Sequence, residues 1–142
     1  MTRINLVPVE ELSDQHLIAE YHELPRVAKQ KISIKGAPDK YCLGKNHVKW
    51  ARKHLLFTFS RYCLICNEMY HRGFAVNYPY DEFLDFCLGE PIAREFVWRD
   101  YNPTEEDTAL SRNRLIEKYR LRPDWYRWTG RCKPIYYRKE EE

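Results

Sequence analysis

A chain of 142 residues, 44% of them hydrophobic, is long enough for one domain with a modest core. It has no run of about 18 apolar residues, so we expect no membrane-spanning helix, and the polar start, interrupted by Glu10 and Glu11, is not typical of a secretory signal. Five cysteines without such a signal indicate free thiols in a reducing, intracellular compartment, either the cytoplasm or nucleoid or a viral host cell.

The net charge of +3 understates how basic the chain is, because its charges are segregated. Eleven Lys and Arg residues lie between Arg26 and Arg72 against two acidic residues, and ten lie between Arg112 and Lys139 against two. Two basic blocks of this kind are typical of proteins that neutralise DNA phosphates. Two merely solvated helix faces are the alternative interpretation.

The first predicted helix begins at about Gln15, with Ser13 or Asp14 as its N-terminal cap. Apolar residues at helical spacing give this helix one buried face, and they are Leu17, Tyr21, Leu24 and Ala28. Pro25 removes a backbone hydrogen bond in the third turn and is expected to kink the helix there.

A second helix is predicted from about His47 to about Arg72, with Gly73 as its stop. The apolar stripe of this helix is wide, which indicates a central and well-buried position. A short helix is predicted next, over Pro79 to Leu88.

A third long helix is predicted after Pro103, with Thr104 as its cap and Asp107 three residues later, and it ends near Arg122. The residues beyond it are rich in aromatic side chains, and no segment alternates apolar and polar residues for the length of a strand. The sequence therefore predicts an all-α protein, a single compact domain over residues 1–142 with three long helices, irregular loops and an aromatic C-terminal segment.

The start of the chain offers a nucleophile. Thr2 follows a Met that aminopeptidases remove when the next residue is this small, and removal leaves Thr2 with a free α-amine. Such an amine has a pKa of roughly 7.7–8.0, so a fraction is neutral near pH 7 and can form an imine with an aldehyde-like carbon. With the carboxylate of Glu23 and cations such as Arg26, it would suit attack at a sugar carbon of DNA. An ordinary frayed terminus and a surface Glu23–Arg26 ion pair explain the same residues without catalysis.

Two further patterns have more than one interpretation. Cys63 and Cys66 have the spacing of a zinc or redox motif, but no second ligand pair accompanies them, which favours buried thiols and no metal site. Trp125 and Trp128 lie among arginines and either stack on DNA bases or close the core, with Trp125 interpreted as a core residue.

Three runs of residues carry a resemblance to a known family. They are MTRINL at residues 1–6, DQHL at 14–17 and AEY-x-ELPRV at 19–27. These runs resemble the phage-type pyrimidine dimer DNA glycosylases, the phage endonuclease V type, and sparser matches such as Gly44, His47 and Val48, Ser111 and Gly130 continue to the end of the chain. Family members commonly have Arg where this chain has His22, and the segment after Val27 is shorter here.

The resemblance implies an all-α fold and a reaction in which the terminal amine of Thr2 attacks C1′ of the damaged nucleotide. The base leaves, an imine links protein to DNA, and β-elimination breaks the phosphodiester on the 3′ side. One residue thus performs both the glycosylase and the abasic-site lyase step, and no cofactor or metal is required. Glu23 is implied to stabilise the positive charge at C1′ and to move protons.

The resemblance also implies the DNA contacts. Arg3 and Arg26 are expected to bind DNA phosphates, because the planar guanidinium group can donate two parallel hydrogen bonds to phosphate oxygens. His22 takes the place of a third phosphate-binding residue, which is commonly Arg in the family. Because histidine is shorter than arginine and mostly neutral at pH 7, we expect weaker phosphate binding there, with a dependence on pH.

Three more residues are implied to lie near the reacting nucleotide or to contribute to dimer binding: Gln15, His16 and Trp128. For His16, a solvated position on the helix is the alternative.

The expected partner is double-stranded DNA that carries cyclobutane pyrimidine dimers, bound by a monomer away from any membrane. Two other functions fit the same residues, amine chemistry on a different damaged base such as a ring-opened purine, and non-catalytic DNA binding by a basic helical protein.

Overall fold

A computed structural model describes residues 4–89 and 97–138 of the chain. Within these ranges there are five helices and no strand: α1 Asp14–Lys29, α2 His47–Lys53, α3 Leu55–His71, α4 Tyr80–Leu88 and α5 Glu105–Leu121. Short 3-10 turns lie at Val9–Glu11 and Ile135–Tyr137. The prediction of an all-α protein is confirmed, but three long helices undercounts the five described. None of the described helices has the length and apolar character that crossing a membrane requires.

The predicted start of α1 is confirmed. The Ser13 hydroxyl accepts a hydrogen bond from the His16 amide, so Ser13 is the cap. The helix continues through Pro25 to Lys29. At its C-terminal end the buried guanidinium of Arg52 donates to the Ala28 carbonyl, a favourable place for a positive charge.

The prediction of one helix over residues 47–72 is wrong, because the helix breaks at His54 into α2 and α3. His54 has φ −123° and ψ 57°, outside the helical region. Its Nδ1 donates to the Trp50 carbonyl oxygen at 2.7 Å, and the Thr58 hydroxyl donates to the Ala51 carbonyl oxygen at 3.1 Å. The His54 amide turns to the Ala51 carbonyl oxygen at 3.1 Å, so the imidazole takes the Trp50 carbonyl that this amide would take in a continuous helix, and Thr58 adds a second bond to Ala51.

Two predicted helix ends are confirmed by their capping bonds. Gly73 has φ +83°, and the amides of Gly73 and Phe74 return to the carbonyls of Tyr70 and Met69, which closes the end of α3. At the start of α5, Thr104 and Asp107 form the predicted reciprocal capping box. The short helix predicted over Pro79 to Leu88 is also confirmed, as α4.

The N-terminal segment Ile4–Val7 has no regular structure, yet its four residues are at most 7% exposed. The Asn5 amide donates to Glu20 of α1, and the Leu6 amide donates to the Ser111 hydroxyl of α5. Arg61 of α3 donates to the Val7 carbonyl oxygen at 2.6 Å. The segment therefore lies in the core, where the backbone groups of Asn5, Leu6 and Val7 named above are bonded to three of the helices around it.

Glu20 and Arg61 form a buried ion pair against this segment. Arg61 Nε lies 2.7 Å from Glu20 Oε2, and the side chains are 6% exposed for Arg61 and 0% for Glu20. Glu20 Oε1 also accepts the Asn5 side-chain amide at 2.8 Å. This arrangement fixes α1, α3 and the N-terminal segment to one another.

Glu20→Gln should destabilise the protein by about 3–5 kcal/mol, because it leaves the charge of Arg61 buried without a counter-charge. The free energy of unfolding from urea titration measures this loss. Glu106→Gln is the control, since the Glu106 carboxylate is 87% exposed and lies 3.5 Å from Lys40, and it should cause no measurable change. Equal losses from both substitutions would contradict the assigned role of the buried pair.

Candidate active site

Ile4, the first described residue, has hydrogen bonds at both its backbone amide and its carbonyl oxygen. Its amide donates to His47 Nε2 at 3.0 Å, and the Tyr41 hydroxyl donates to its carbonyl oxygen at 2.7 Å. Thr2 and Arg3 lie outside the described residues. The Ile4 amide lies at the start of α2, and Ile4 follows Thr2 by two residues in the sequence.

Glu23 lies on α1, one turn after the Glu20 that holds Asn5. It is 8% exposed, so it is not a surface carboxylate. Its two oxygens accept from Arg26 Nε at 3.0 Å and Arg26 Nη2 at 2.5 Å. The ion pair of the alternative interpretation is therefore present, but it joins a buried acid to an arginine side chain that is 47% exposed. The hydrogen bonds to Glu23 raise the pKa of Arg26, which remains charged.

Gln15 joins the first turn of α1 to the C-terminal segment. Its side-chain nitrogen donates to the Trp125 carbonyl oxygen at 2.7 Å, and its side-chain oxygen accepts from the Arg127 amide at 3.1 Å. Both ends of the Gln15 amide are thus bonded to the backbone of one loop.

His16 is packed among aromatic rings. Its ring stacks on Tyr126 at a centroid distance of 5.2 Å and meets the edge of Tyr119 at 4.9 Å, while its Nδ1 lies 3.2 Å from the Ser13 hydroxyl. Burial, reinforced by the charges of Arg114 and Lys118, lowers the pKa of His16 to about 4. The imidazole is therefore neutral at pH 7 and is not a solvated side chain.

The two tryptophans of the C-terminal segment differ in exposure. Trp128 is half-buried, donates from Nε1 to the Glu11 carbonyl oxygen at 2.8 Å and stacks on Tyr137. Trp125 is 47% exposed, with the Arg122 guanidinium 4.4 Å above its ring. The interpretation of Trp125 as a core residue is therefore wrong, because about half of its surface faces solvent and its ring packs on the neighbouring Tyr126.

His22 is exposed on α1 and lies edge-on to Tyr21 at a centroid distance of 5.0 Å. It lines a groove of about 300 Å³ whose other lining residues are Tyr21, Pro25, Tyr62, Asn77 and Tyr78. The groove therefore joins the exposed face of α1 to the aromatic residues of α3 and the loop that follows it.

The described candidate residues form two groups along α1. One holds His22, Glu23 and Arg26, and the other holds Gln15 and His16 with Trp128. At a rise of 1.5 Å per residue, the seven residues from His16 to Glu23 separate the groups by roughly 10 Å.

Sequence reasoning overcounted the cations available to DNA. Arg52, Arg61 and Arg72 belong to the first basic block but are 5%, 6% and 5% exposed. Arg72 bonds to the buried carboxylates of Asp14 and Glu68. The cations that remain exposed in this block are Arg26, Lys29, Lys31, Lys35, Lys40 and Lys45.

Tyr41 and His47 are the functional candidates that sequence reasoning missed. The hydrogen bonds that join them to Ile4 span 37 and 43 residues, a separation that neither periodicity nor local spacing reports. The sparse family match at His47 was the one available signal for either residue.

The cysteines of the 63–66 motif are free thiols. Cys66 is buried, as the buried-thiol interpretation predicts, whereas Cys63 is half-buried. Burial raises the pKa of Cys63 and raises that of Cys66 to about 11. Within residues 4–89 and 97–138, no group of three or more His, Cys, Asp or Glu side chains lies in a metal-binding arrangement.

Comparison with known protein families identifies a match that covers the start of the chain. The family model described as pyrimidine dimer DNA glycosylase matches residues 1–82, which is more than half of the chain. The matched range contains the buried N-terminal segment, the Glu23–Arg26 pair and both residues that hold Ile4.

Because the pKa of His16 falls on folding, the neutral imidazole contributes stability that is present above pH 6.5 and is lost as the pH falls towards 4. Lowering the pH from 7 to 5 should therefore cost about 2 kcal/mol of unfolding free energy through His16 alone. Urea unfolding at both pH values, compared with His16→Gln, isolates this contribution. A variant that loses as much stability as the wild type between the two pH values would contradict the assignment.

Proposed function

The chain belongs to the pyrimidine dimer DNA glycosylase family, and from this premise we propose that it removes cyclobutane pyrimidine dimers from double-stranded DNA and then cleaves the abasic site. The anchoring of the Ile4 peptide inside the core, together with the buried Glu23 on the adjacent helix, is the observation that carries the proposal.

The proposed nucleophile is the α-amine of Thr2 after removal of Met1. The amine lone pair forms a bond to C1′ while the glycosidic bond breaks, and the base takes the electron pair of that bond. The ring oxygen then leaves C1′ and takes a proton, which gives the imine. Loss of a C2′ proton expels the 3′ phosphate, so the lyase step follows from the same imine. The imine is the electron sink, and we propose no cofactor and no metal.

The rigid attachment of Ile4 supports this chemistry. Only Arg3 separates it from Thr2, so a fixed Ile4 restricts the volume that the amine can sample. Restricting a nucleophile before the substrate arrives lowers the entropic part of the barrier.

Glu23 is proposed to stabilise positive charge at C1′ and to move protons during ring opening. In the free protein its charge is balanced by Arg26, whose side chain is about half exposed. We propose that a DNA phosphate competes for this guanidinium, because phosphate and carboxylate both accept its two parallel N–H bonds. Glu23 then presents its charge to the sugar.

The remaining proposed DNA contacts follow the two groups on α1. Arg3, His22 and Arg26 would bind phosphates around the reacting sugar. Gln15 and His16 are engaged with the aromatic C-terminal segment, so we propose that they hold Trp128 and its neighbours against the nucleotides roughly 10 Å away. The protein is proposed to act as a monomer.

Borohydride trapping tests this function. Purified protein is mixed with matched duplexes that carry a single thymine dimer, an abasic site or no damage, and intact mass on the same sample reports whether Met1 is absent. We expect a covalent adduct on the first two duplexes from Met-free protein. Trapping on the abasic duplex alone would overturn the dimer as substrate and favour another base, and no trapping by Met-free protein would leave a DNA-binding protein without catalysis.

Glu23→Gln should retain damaged-DNA affinity within about threefold and lose a factor of about 10²–10³ in single-turnover rate, since the amide keeps the size of the side chain but not its charge. Fluorescence anisotropy gives the affinity, and quenched-flow cleavage of the dimer duplex gives the rate. Full activity of this variant would refute the role of Glu23.

A further inference from the structure

We propose that Tyr41 and His47 are positioning residues for the amine nucleophile, and that the unprotonated Nε2 of His47 is the atom that fixes the chain leading to Thr2. The inference rests on the proposed function. It adds residues that do not touch the substrate and act through the Ile4 peptide.

Two hydrogen bonds of His47 together require one form of its ring. Nδ1 lies 2.8 Å from the Cys42 carbonyl oxygen, which only accepts hydrogen bonds, so Nδ1 carries the proton. Nε2 accepts the Ile4 amide at 3.0 Å, so Nε2 carries the lone pair. The imidazole is therefore neutral with its proton on Nδ1, and a proton on Nε2 would face the N–H of Ile4 and break the contact.

The other side of the Ile4 peptide is tied to α5. The Tyr41 hydroxyl donates to the Ile4 carbonyl oxygen, and burial, reinforced by the charge of Glu20, raises the pKa of Tyr41, so the phenol keeps its proton. The Tyr41 amide donates to the Tyr101 hydroxyl at 3.0 Å, and that hydroxyl donates to Asp107 at 2.5 Å. A chain of hydrogen bonds thus joins Ile4 to the capping box that starts α5.

These contacts do more than complete the fold. The next residues, Asn5–Val7, have anchors of their own on Glu20, Ser111 and Arg61. Loss of the His47 acceptor therefore removes the bond of the segment nearest Thr2, while Tyr41 still holds the Ile4 carbonyl and the rest remains attached to three helices. The expected consequence is a slower attack at C1′ rather than loss of the fold or of DNA binding.

Two substitutions at one position separate positioning from simple packing. In His47→Asn, the side-chain nitrogen of the introduced amide can replace Nδ1 as donor to Cys42, but the variant has no acceptor for Ile4. His47→Gln places its side-chain oxygen near the position of Nε2, so it keeps the acceptor for Ile4 and loses the donor to Cys42. Each variant loses one hydrogen bond, which makes His47→Gln the matched control.

The measurement is the single-turnover rate of borohydride trapping on a duplex with a preformed abasic site, which bypasses base removal. We expect His47→Asn to trap at least about tenfold more slowly than the wild type and His47→Gln to recover to within about threefold. Duplex affinity by anisotropy should stay within about threefold for both. Amide hydrogen exchange at Ile4 should be protected in the wild type and His47→Gln, and fast in His47→Asn.

Tyr41→Phe provides a second test that keeps the ring and removes only the donor to the Ile4 carbonyl. We expect the trapping rate to fall with duplex affinity retained, so the inference is testable even if His47→Asn does not fold. Wild-type rates in both His47→Asn and Tyr41→Phe would overturn the inference while wild-type trapping upholds the proposed function. Equal slowing in His47→Asn and His47→Gln at equal melting temperatures would also overturn it, since packing alone would then explain the loss. No trapping by the wild type would overturn the proposed function, and this inference with it.

Discussion

The burial of the N-terminal segment is the constraint on which the rest of the structure depends. Four consecutive residues without regular structure enter the core, and a buried backbone needs a partner for each polar group. Four helices supply partners in turn, through His47 of α2, Glu20 of α1, Ser111 of α5 and Arg61 of α3. The segment is therefore the place where these four helices are joined.

This arrangement links stability to chemistry. The groups that satisfy the segment include a buried ion pair and a neutral imidazole, and each is costly to leave without its partner. Under the proposed mechanism, a substitution that loosens the segment therefore acts on folding and on the placement of the Thr2 amine together. The separate hydrogen bonds along the segment limit this coupling, because Asn5–Val7 keep theirs when the Ile4 amide loses its bond to His47.

The parts of the fold that were predictable are those set by local chemistry. Ser13, Gly73 and Thr104 end or begin helices through hydrogen bonds within a few residues, which the sequence reports directly. The burial of Arg61 depends on Glu20, which is 41 residues away, so charge counting misread it. The break at His54 comes from a side-chain bond to the Trp50 carbonyl that competes with the helical bond without changing the apolar periodicity. For the candidate site, the ELPRV run located Glu23 and Arg26. The hydrogen bonds from Tyr41 and His47 to Ile4 span 37 and 43 residues of sequence, so no local pattern predicts them.

The geometry of the Glu23–Arg26 pair bears on how a DNA-binding face tolerates a carboxylate. An unpaired acid repels phosphates during every non-specific encounter, and such encounters dominate the search for damage. Here the acid is nearly buried and the cation is half exposed, so the pair presents positive charge outwards and keeps the negative charge beneath it. Under the proposed mechanism, the carboxylate loses its partner only when a phosphate is close enough to take the guanidinium. The same phosphate then brings the sugar to the site, so the charge of Glu23 is uncovered where positive charge develops and not along undamaged DNA.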